Sequence, residues 1–284
     1  MSAVLSVRNT REAWALAEAL APALAPLTVS PGRGAQLQHM LAGRIHRSVV
    51  AHRPFSTVRR EDGAWAETSL GVRQRTLSAV GGLCVDLLQV QAHATIPWPQ
   101  ADQAQELLVV DGSLRVQPAG SPTIDLPLHT QVVVGRAAAL RLSAGSAGLT
   151  MYLRRRRVAL DQLPADEARW WAAAEAAPVA ASGSACLWAR LLDGVDAAVL
   201  RAQGDVASML IRIAPGATVP DHGHSQVEDC FMLAGEMFLG DILMRAGDYQ
   251  LAPAGCQHVG IASDHGGLFY FHGAVPPAAS GCAR

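Results

Sequence analysis

Residues 216–220 read GATVP, and 123 positions earlier residues 93–97 read HATIP. At the same shift the apolar run SMLIRIAP (208–215) lies over VDLLQVQA (85–92), and Gly235 lies over Gly112. One unbroken shift across 28 residues marks an internal duplication. The chain therefore has to build one structural unit twice, and each copy must close its own core within the 123-residue repeat.

The repeated unit reads as β structure. From Pro54 onward, short apolar and β-branched runs alternate with Gly- and Pro-containing turns. The first copy contains GVRQRTL, LCVDLLQVQ, ELLVV, SLRVQP and HTQVVVG. The second contains CLWARLL, AAVLRA, SMLIRIA, CFMLAG, DYQLAP and GLFYFHG. Many short strands at this spacing predict an all-β barrel or sandwich. Helical signals lie before and between the copies. NTREAWALAEALAPAL opens on a capping Asn9 or Thr10, and AQLQHMLAGRIHRSVV carries a second amphipathic pattern. PADEARWWAAAEAAP begins with Pro164 and an acidic first turn, and VAASGSA after it reads as a linker. The expected organisation is a helical segment over 1–53 and a first β domain over 54–158. A helix and linker follow over 159–182, then a second β domain over 183–284.

Composition narrows the classes of function. Half of the residues are hydrophobic and 17% are charged, which supports sizeable cores and excludes global disorder. The formal net charge of −1 gives no general attraction to nucleic acid, although all 23 basic residues are arginine. The RRRR run at 154–157 is expected to be a solvated strand edge. Five cysteines, widely spaced and without CxxC, suit a reducing compartment. The N-terminal run AWALAEALAPALAPL carries Glu18 and follows Glu12, unlike a signal peptide. No uncharged apolar stretch reaches the ~18 residues a membrane helix needs. The expectation is a cytoplasmic protein that binds neither nucleic acid nor membrane directly.

The chemistry sits in the second copy. Gly216 is followed by His222-x-His224, then Glu228, then Gly235; twelve residues later come Gly247, Pro253-x-Gly255 and His258. Side chains alternate along a strand, so His222 and His224 share a face. Glu228 reaches the same point once the chain turns into the neighbouring strand, and the turn at Pro253 and Gly255 aims His258 inward. Three imidazoles and a carboxylate suit a divalent transition metal such as Zn, Fe, Mn, Ni or Cu. Four protein ligands leave one or two positions for water, oxygen or a small molecule. Counting from Glu228, Cys230 and Met232 face the same lumen, Cys230 as an oxidisable thiol or a small core residue. Tyr249, Cys256, Tyr270 and His272 are further pocket candidates. In the first copy Pro99, Ala101 and Gln105 stand under His222, His224 and Glu228, and Leu140 stands in place of His258. Glu106, next to Gln105, is expected to point to the wrong face. The first copy is thus expected to be a metal-free scaffold that serves packing or dimerisation.

This compound pattern resembles both signature motifs of the cupin superfamily. It is complete in the first motif and lacks only the terminal Asn of the second, where Ala262 stands. The resemblance implies two tandem jelly-roll barrels, with His222, His224, Glu228 and His258 holding a metal in the second. Within that superfamily, GVRQRTL, APGATVPDHGHSQVE, AGDYQLAPAGCQH and FSTVRREDGAW make residues 54–275 similar to the cupin-like part of ChrR-type anti-sigma factors. PGRGAQLQHMLAGRI resembles the helix that joins the two modules of that family. The His-x3-Cys-x2-Cys zinc module of those proteins has no counterpart, since no cysteine precedes Cys84. The resemblance implies a sensor or regulator with one metal per chain, zinc or iron first and manganese or nickel next. It would respond to an oxidant or small ligand, with a sigma factor or another regulatory protein as partner and a homodimer as assembly. The alternative is an iron-dependent dioxygenase acting on a small chelating substrate such as a diketone or thiol.

Overall fold

The computed structural model describes residues 30–97, 103–136, 138–176, 179–182 and 186–275. The helix expected to start at Asn9 or Thr10, Pro99, Ala101 and Cys282 lie outside them. The chain divides into two units, 1–52 and 53–284. In the first, helix α1 (Pro31–His52) starts at a proline, whose fixed φ suits the first helical turn. It carries no acidic residue and buries none of its described side chains.

Among its described residues the second unit holds 21 strands, one α-helix and a short 3-10 helix (Leu160–Gln162). Strands β1 (Ser56–Val58), β2 (Ala66–Ser69), β3 (Val72–Ser78), β4 (Leu83–Val90) and β5 (Thr95–Ile96) come first. They are followed by β6 (Gln105–Pro118), β7 (Ile124–Leu126), β8 (Gln131–Val134) and β9 (Leu140–Arg156). Helix α2 (Ala165–Ala176) separates these from β10 (Val179–Ser182), β11 (Trp188–Leu192), β12 (Val195–Gln203), β13 (Val206–Ile213) and β14 (Thr218–Val219). The last are β15 (His222–Gly223), β16 (Glu228–Leu239), β17 (Ile242–Arg245), β18 (Tyr249–Ala252), β19 (Gln257–His258), β20 (Ile261–Ala262) and β21 (Gly267–Ala274). They form two large antiparallel sheets, ordered β10-β8-β6-β9-β4-β3-β2 and β1-β18-β16-β21-β13-β12-β11, and a two-stranded ribbon β15-β19. The mostly β, two-barrel architecture with helices before and between matches the expectation.

The duplication is visible in the pairing. Gln105 lies opposite Val134 in the first copy, and Glu228 lies opposite Ala252 in the second. The shift of 123 that relates Gln105 to Glu228 becomes 118 between Val134 and Ala252, because the connection from β6 to β8 is the longer one. Two equivalent glycines explain why that residue type recurs. Gly112 and Gly235 have φ of +73° and +70°. A Cβ on either would stand 2.1 or 2.2 Å from the carbonyl oxygen of Gly148 or Gly266. Only glycine fits a left-handed backbone that passes so close to its neighbour.

Two strands cross the boundaries expected from the sequence. β1, in the segment assigned to the first barrel, pairs with β18 of the second sheet, Ser56 opposite Leu251 and Val58 opposite Tyr249. β10, in the expected linker, pairs with β8 of the first sheet, Val179 opposite Val134 and Ser182 opposite Gln131. Each copy thus opens with a strand that completes the edge of the other. VAAS is too short and too uniform to show a period-2 pattern, so its strand is set by the edge it meets.

Alternation along the strands makes three apolar layers. Leu107, Val109, Val116 and Met151 fill the first barrel, and Met209, Ile211, Met232, Met244 and Phe269 fill the second. Between the sheets, Leu87, Leu108 and Leu210 pack with Tyr152, Phe231, Tyr249 and Tyr270. Tyr152 stacks on Phe231, Tyr249 and Tyr270 at ring-centroid distances of 5.7, 6.4 and 5.2 Å. Such pairs add about 0.5–1.5 kcal/mol each beyond area burial. α2 seals the crease. Trp170, Trp171 and Ala174 are fully buried against Leu83 and Val133 of the first copy and Val206 of the second.

The arginine run is not a solvated edge, which corrects the sequence expectation. β9 lies inside its sheet, between β6 and β4. Arg154 is 0% exposed, with Nε 3.1 Å from Asp229, Nη2 2.6 Å from Glu167 and Nη1 3.5 Å from Glu106. Arg155 pairs with Asp86 at 2.9 Å, and the buried Arg156 pairs with Glu175. The partners come from residues up to 75 positions away in the chain, so the run alone could not reveal them.

Candidate metal centre

The ribbon β15-β19 builds the site. His222 lies opposite His258 and Gly223 opposite Gln257, which puts the HxH segment beside the last histidine of the pattern. The amide of Gly255 donates to the carbonyl of His224 at 2.8 Å, and the amide of His224 donates to the carbonyl of Cys256 at 3.3 Å. The turn is closed by the Cys256 amide on the Pro253 carbonyl at 3.3 Å, with Gly255 at φ +83°. A left-handed residue is required there, which accounts for the Pro-x-Gly spacing. Glu228 starts β16, opposite Ala252.

Among the described residues, His224, Glu228 and His258 form one buried group whose ligand atoms all lie within 4.8 Å of one another. His258 Nε2 is 3.5 Å from Glu228 Oε2, and the rings of His224 and His258 are 5.2 Å apart. The tautomer of His224 is set by its surroundings. Nδ1 lies 2.7 Å from the carbonyl oxygen of Gln226, which can only accept, so Nδ1 carries the proton. Nε2 then carries a lone pair, and it is buried without a hydrogen-bond partner. A buried, unpartnered imidazole nitrogen is costly unless something binds it. Beside a carboxylate and a second imidazole, the donor set fits a divalent transition metal.

His222 stands apart from this group. It is partly exposed, its ring is 5.6 Å from that of His258, and its Nδ1 donates to the carbonyl of Pro220 at 2.9 Å. Its Nε2 is thereby left with the lone pair.

The other candidates divide by strand face. Cys230 and Met232 lie on the lumen side with Glu228, as alternation requires. Burial first, and the Glu228 and Asp229 carboxylates second, push the Cys230 thiol well above the ordinary thiol range, so it stays protonated at neutral pH. Tyr249, Tyr270 and His272 lie in the layer between the barrels instead. Tyr249 donates to Asp229, and the Tyr270 hydroxyl accepts from Gln131 Nε2 at 3.2 Å. His272 packs edge-on against Trp170 at 4.7 Å and meets Glu167 at 3.2 Å. Cys256 contributes its carbonyl to the turn and is partly buried. Phe55 carries no sequence signal of a place beside the site. Its ring lies 5.2 Å from that of His258, brought there by the β1 segment, whose crossing into the second sheet has no local signal.

In the first barrel Gln105 is buried opposite Val134, and Glu106 faces the layer between the barrels, paired with Arg154 and with Arg201 at 2.5 Å. Among the described residues the first barrel holds no cluster of three metal-binding side chains.

Residues 177–277 match the family model of the ChrR Cupin-like domain. The second barrel carries a ChrR cupin-like domain. The solved structures it resembles include bicupins. A mutant of the oxalate decarboxylase OxdC of Bacillus subtilis aligns with TM-score 0.56 at 14% identity, over 77% of this chain and 77% of that one. AerE of Microcystis aeruginosa aligns with TM-score 0.57 at 14% identity, over 75% of this chain and 97% of that one. Ylba of E. coli aligns with TM-score 0.59 at 14% identity, over 79% and 92%. At such identity the likeness to this bicupin is one of fold. No curated protein matches the sequence. Among the described residues of the bicupin, no helix is long and apolar enough to cross a membrane.

Proposed function

We propose that this bicupin binds one divalent transition metal per chain in its second barrel and works as a sensor or regulatory protein. The ligands are His224, Glu228 and His258, with His222 completing the set from the solvent side. The observation that carries the reading is the buried, unpartnered Nε2 of His224, on a residue grouped with a carboxylate and a second imidazole whose ligand atoms lie within 4.8 Å of one another. A bound ion would supply a Lewis-acidic centre that an oxidant or small ligand can reach at an open coordination position. The protein's own residues fix the tautomer of His224 and hold His258 beside Glu228. The match of residues 177–277 to the ChrR Cupin-like domain supports the regulatory side, with another regulatory protein, such as a sigma factor, as partner. Zinc or iron fits the donor set best.

The partly exposed His222 gives a second reading some support, since a site open on that side admits a small chelating substrate. On that reading the protein is an iron-dependent dioxygenase for a diketone or thiol. Metal analysis of protein purified without chelators separates the two. The sensor reading expects one tightly held ion per chain, no oxygen uptake and co-purification of a regulatory protein. Iron together with substrate-dependent oxygen uptake overturns it in favour of the enzyme.

A further inference from the structure

The metal-site loop is tied to the helix between the barrels. Gln226 Nε2 donates to Oδ2 of Asp166, in the first turn of α2, at 2.8 Å. The main-chain carbonyl of the same Gln226 takes the Nδ1 proton of His224 at 2.7 Å. Asp166 thus holds the residue that holds the ligand, across 60 positions of sequence. The next residue, Glu167, reaches the other ligand-bearing segment. Its Oε1 binds Arg154 Nη2 at 2.6 Å and His272 Nε2 at 3.2 Å, and Arg154 in turn grips Asp229, the neighbour of Glu228 on β16. α2 itself is fixed by the buried Trp170 and Trp171, so its first turn is a rigid anchor.

We infer that Asp166 is a positioning residue for the metal, acting through Gln226 to fix the tautomer and ring direction of His224; this rests on the metal-centre reading above. A ligating imidazole is commonly oriented by the hydrogen bond its other nitrogen makes, and loss of such a partner weakens metal binding ~10–100-fold. Here the partner is a backbone carbonyl on a loop that contains only bends between β15 and β16, so its direction depends on where the Gln226 side chain is anchored.

The test uses the full chain and cobalt(II) or zinc(II) alone as probe. Affinity is read by competition titration, and the cobalt absorption spectrum reports ligand geometry. Asp166→Ala and Gln226→Ala should each weaken binding about tenfold, at the low end of that range because they act one bond further out. The double variant should lose no more than either single one, since both cut the same tether. Asp166→Asn keeps an oxygen acceptor and should restore near wild-type affinity and the wild-type cobalt spectrum. The unfolding midpoint of the metal-free protein should move little in any of them. If His224→Ala loses the metal while Asp166→Ala binds like wild type, the positioning role is wrong and the metal centre stands. If His224→Ala also binds like wild type, the metal-centre reading itself fails. If Asp166→Asn is as weak as Asp166→Ala, or the metal-free midpoint drops in step with affinity, Asp166 is a general structural contact and the inference is overturned.

Discussion

Glu228 and Asp229 are consecutive on β16 and face opposite ways, Glu228 toward His258 at 3.5 Å and Asp229 toward Arg154 of the other barrel at 3.1 Å. One strand therefore carries a candidate metal ligand on one face and an inter-barrel ion pair on the other. Burial alone would disfavour the Arg154 charge, but Glu167, Asp229 and Glu106 together hold its pKa well above the ordinary arginine value. Arg154→Met leaves three buried carboxylates facing one another around an apolar side chain. The expected cost is about 3–5 kcal/mol of unfolding free energy, measured by urea titration. A loss under 1 kcal/mol would show that the network contributes no more than a surface pair.

Metal content should follow the donor set. Glu228→Gln and His224→Ala should bring stoichiometry from one ion per chain to near zero by elemental analysis. His222→Ala should weaken binding while leaving it detectable, because His222 lies outside the buried group. Gln105→Ala in the first barrel should change nothing. Equal stoichiometry in all four proteins would place the ion elsewhere.

Acid should act on Glu167. Burial opposes its charge, yet Arg154 and the bond from His272 hold its carboxyl far below the ordinary glutamate value of 4.5. A carboxyl depressed in the folded state stabilises it at pH above 4.5 and loses that contribution as pH falls, because the unfolded chain takes up the proton first. The stability gap between the metal-free wild type and Glu167→Gln should therefore be widest at neutral pH and narrow below about 4.5. Unfolding midpoints from pH 7 to pH 3 measure it, and a gap that widens on acidification would contradict the assignment.

Gly235→Ala should destabilise the second barrel by more than about 1 kcal/mol, through both the clash with Gly266 and the left-handed backbone. Its equivalent Gly112→Ala, against Gly148, should cost a similar amount, since the two environments match. Thermal unfolding of the two variants side by side tests that equivalence.

The repeat and the ligand spacing were legible because both are local. The shift at GATVP, the period-2 runs and the glycines that pass close to backbone all leave marks within a few residues. The strand faces of Cys230, Met232 and Glu106 followed from counting alone. The layer between the barrels was not legible, because Arg154, Glu167 and Asp229 meet only after both sheets form. Tyr249, Tyr270 and His272 fit a pocket as well as the layer between the barrels on sequence alone, because an isolated aromatic or histidine on a strand does not declare which of two apolar faces it serves. β1 and β10 escaped for a related reason, since an edge strand of three or four residues takes its structure from its neighbour.

Those two borrowed edges limit how the protein can be dissected. A fragment starting after α2 would carry the ChrR-like match complete, including β10, which would have no β8 to meet, while β18 would stand bare for want of β1. Bare β edges recruit other chains. An isolated C-terminal half should therefore self-associate or precipitate, and supplying the N-terminal half in trans should return it to solution.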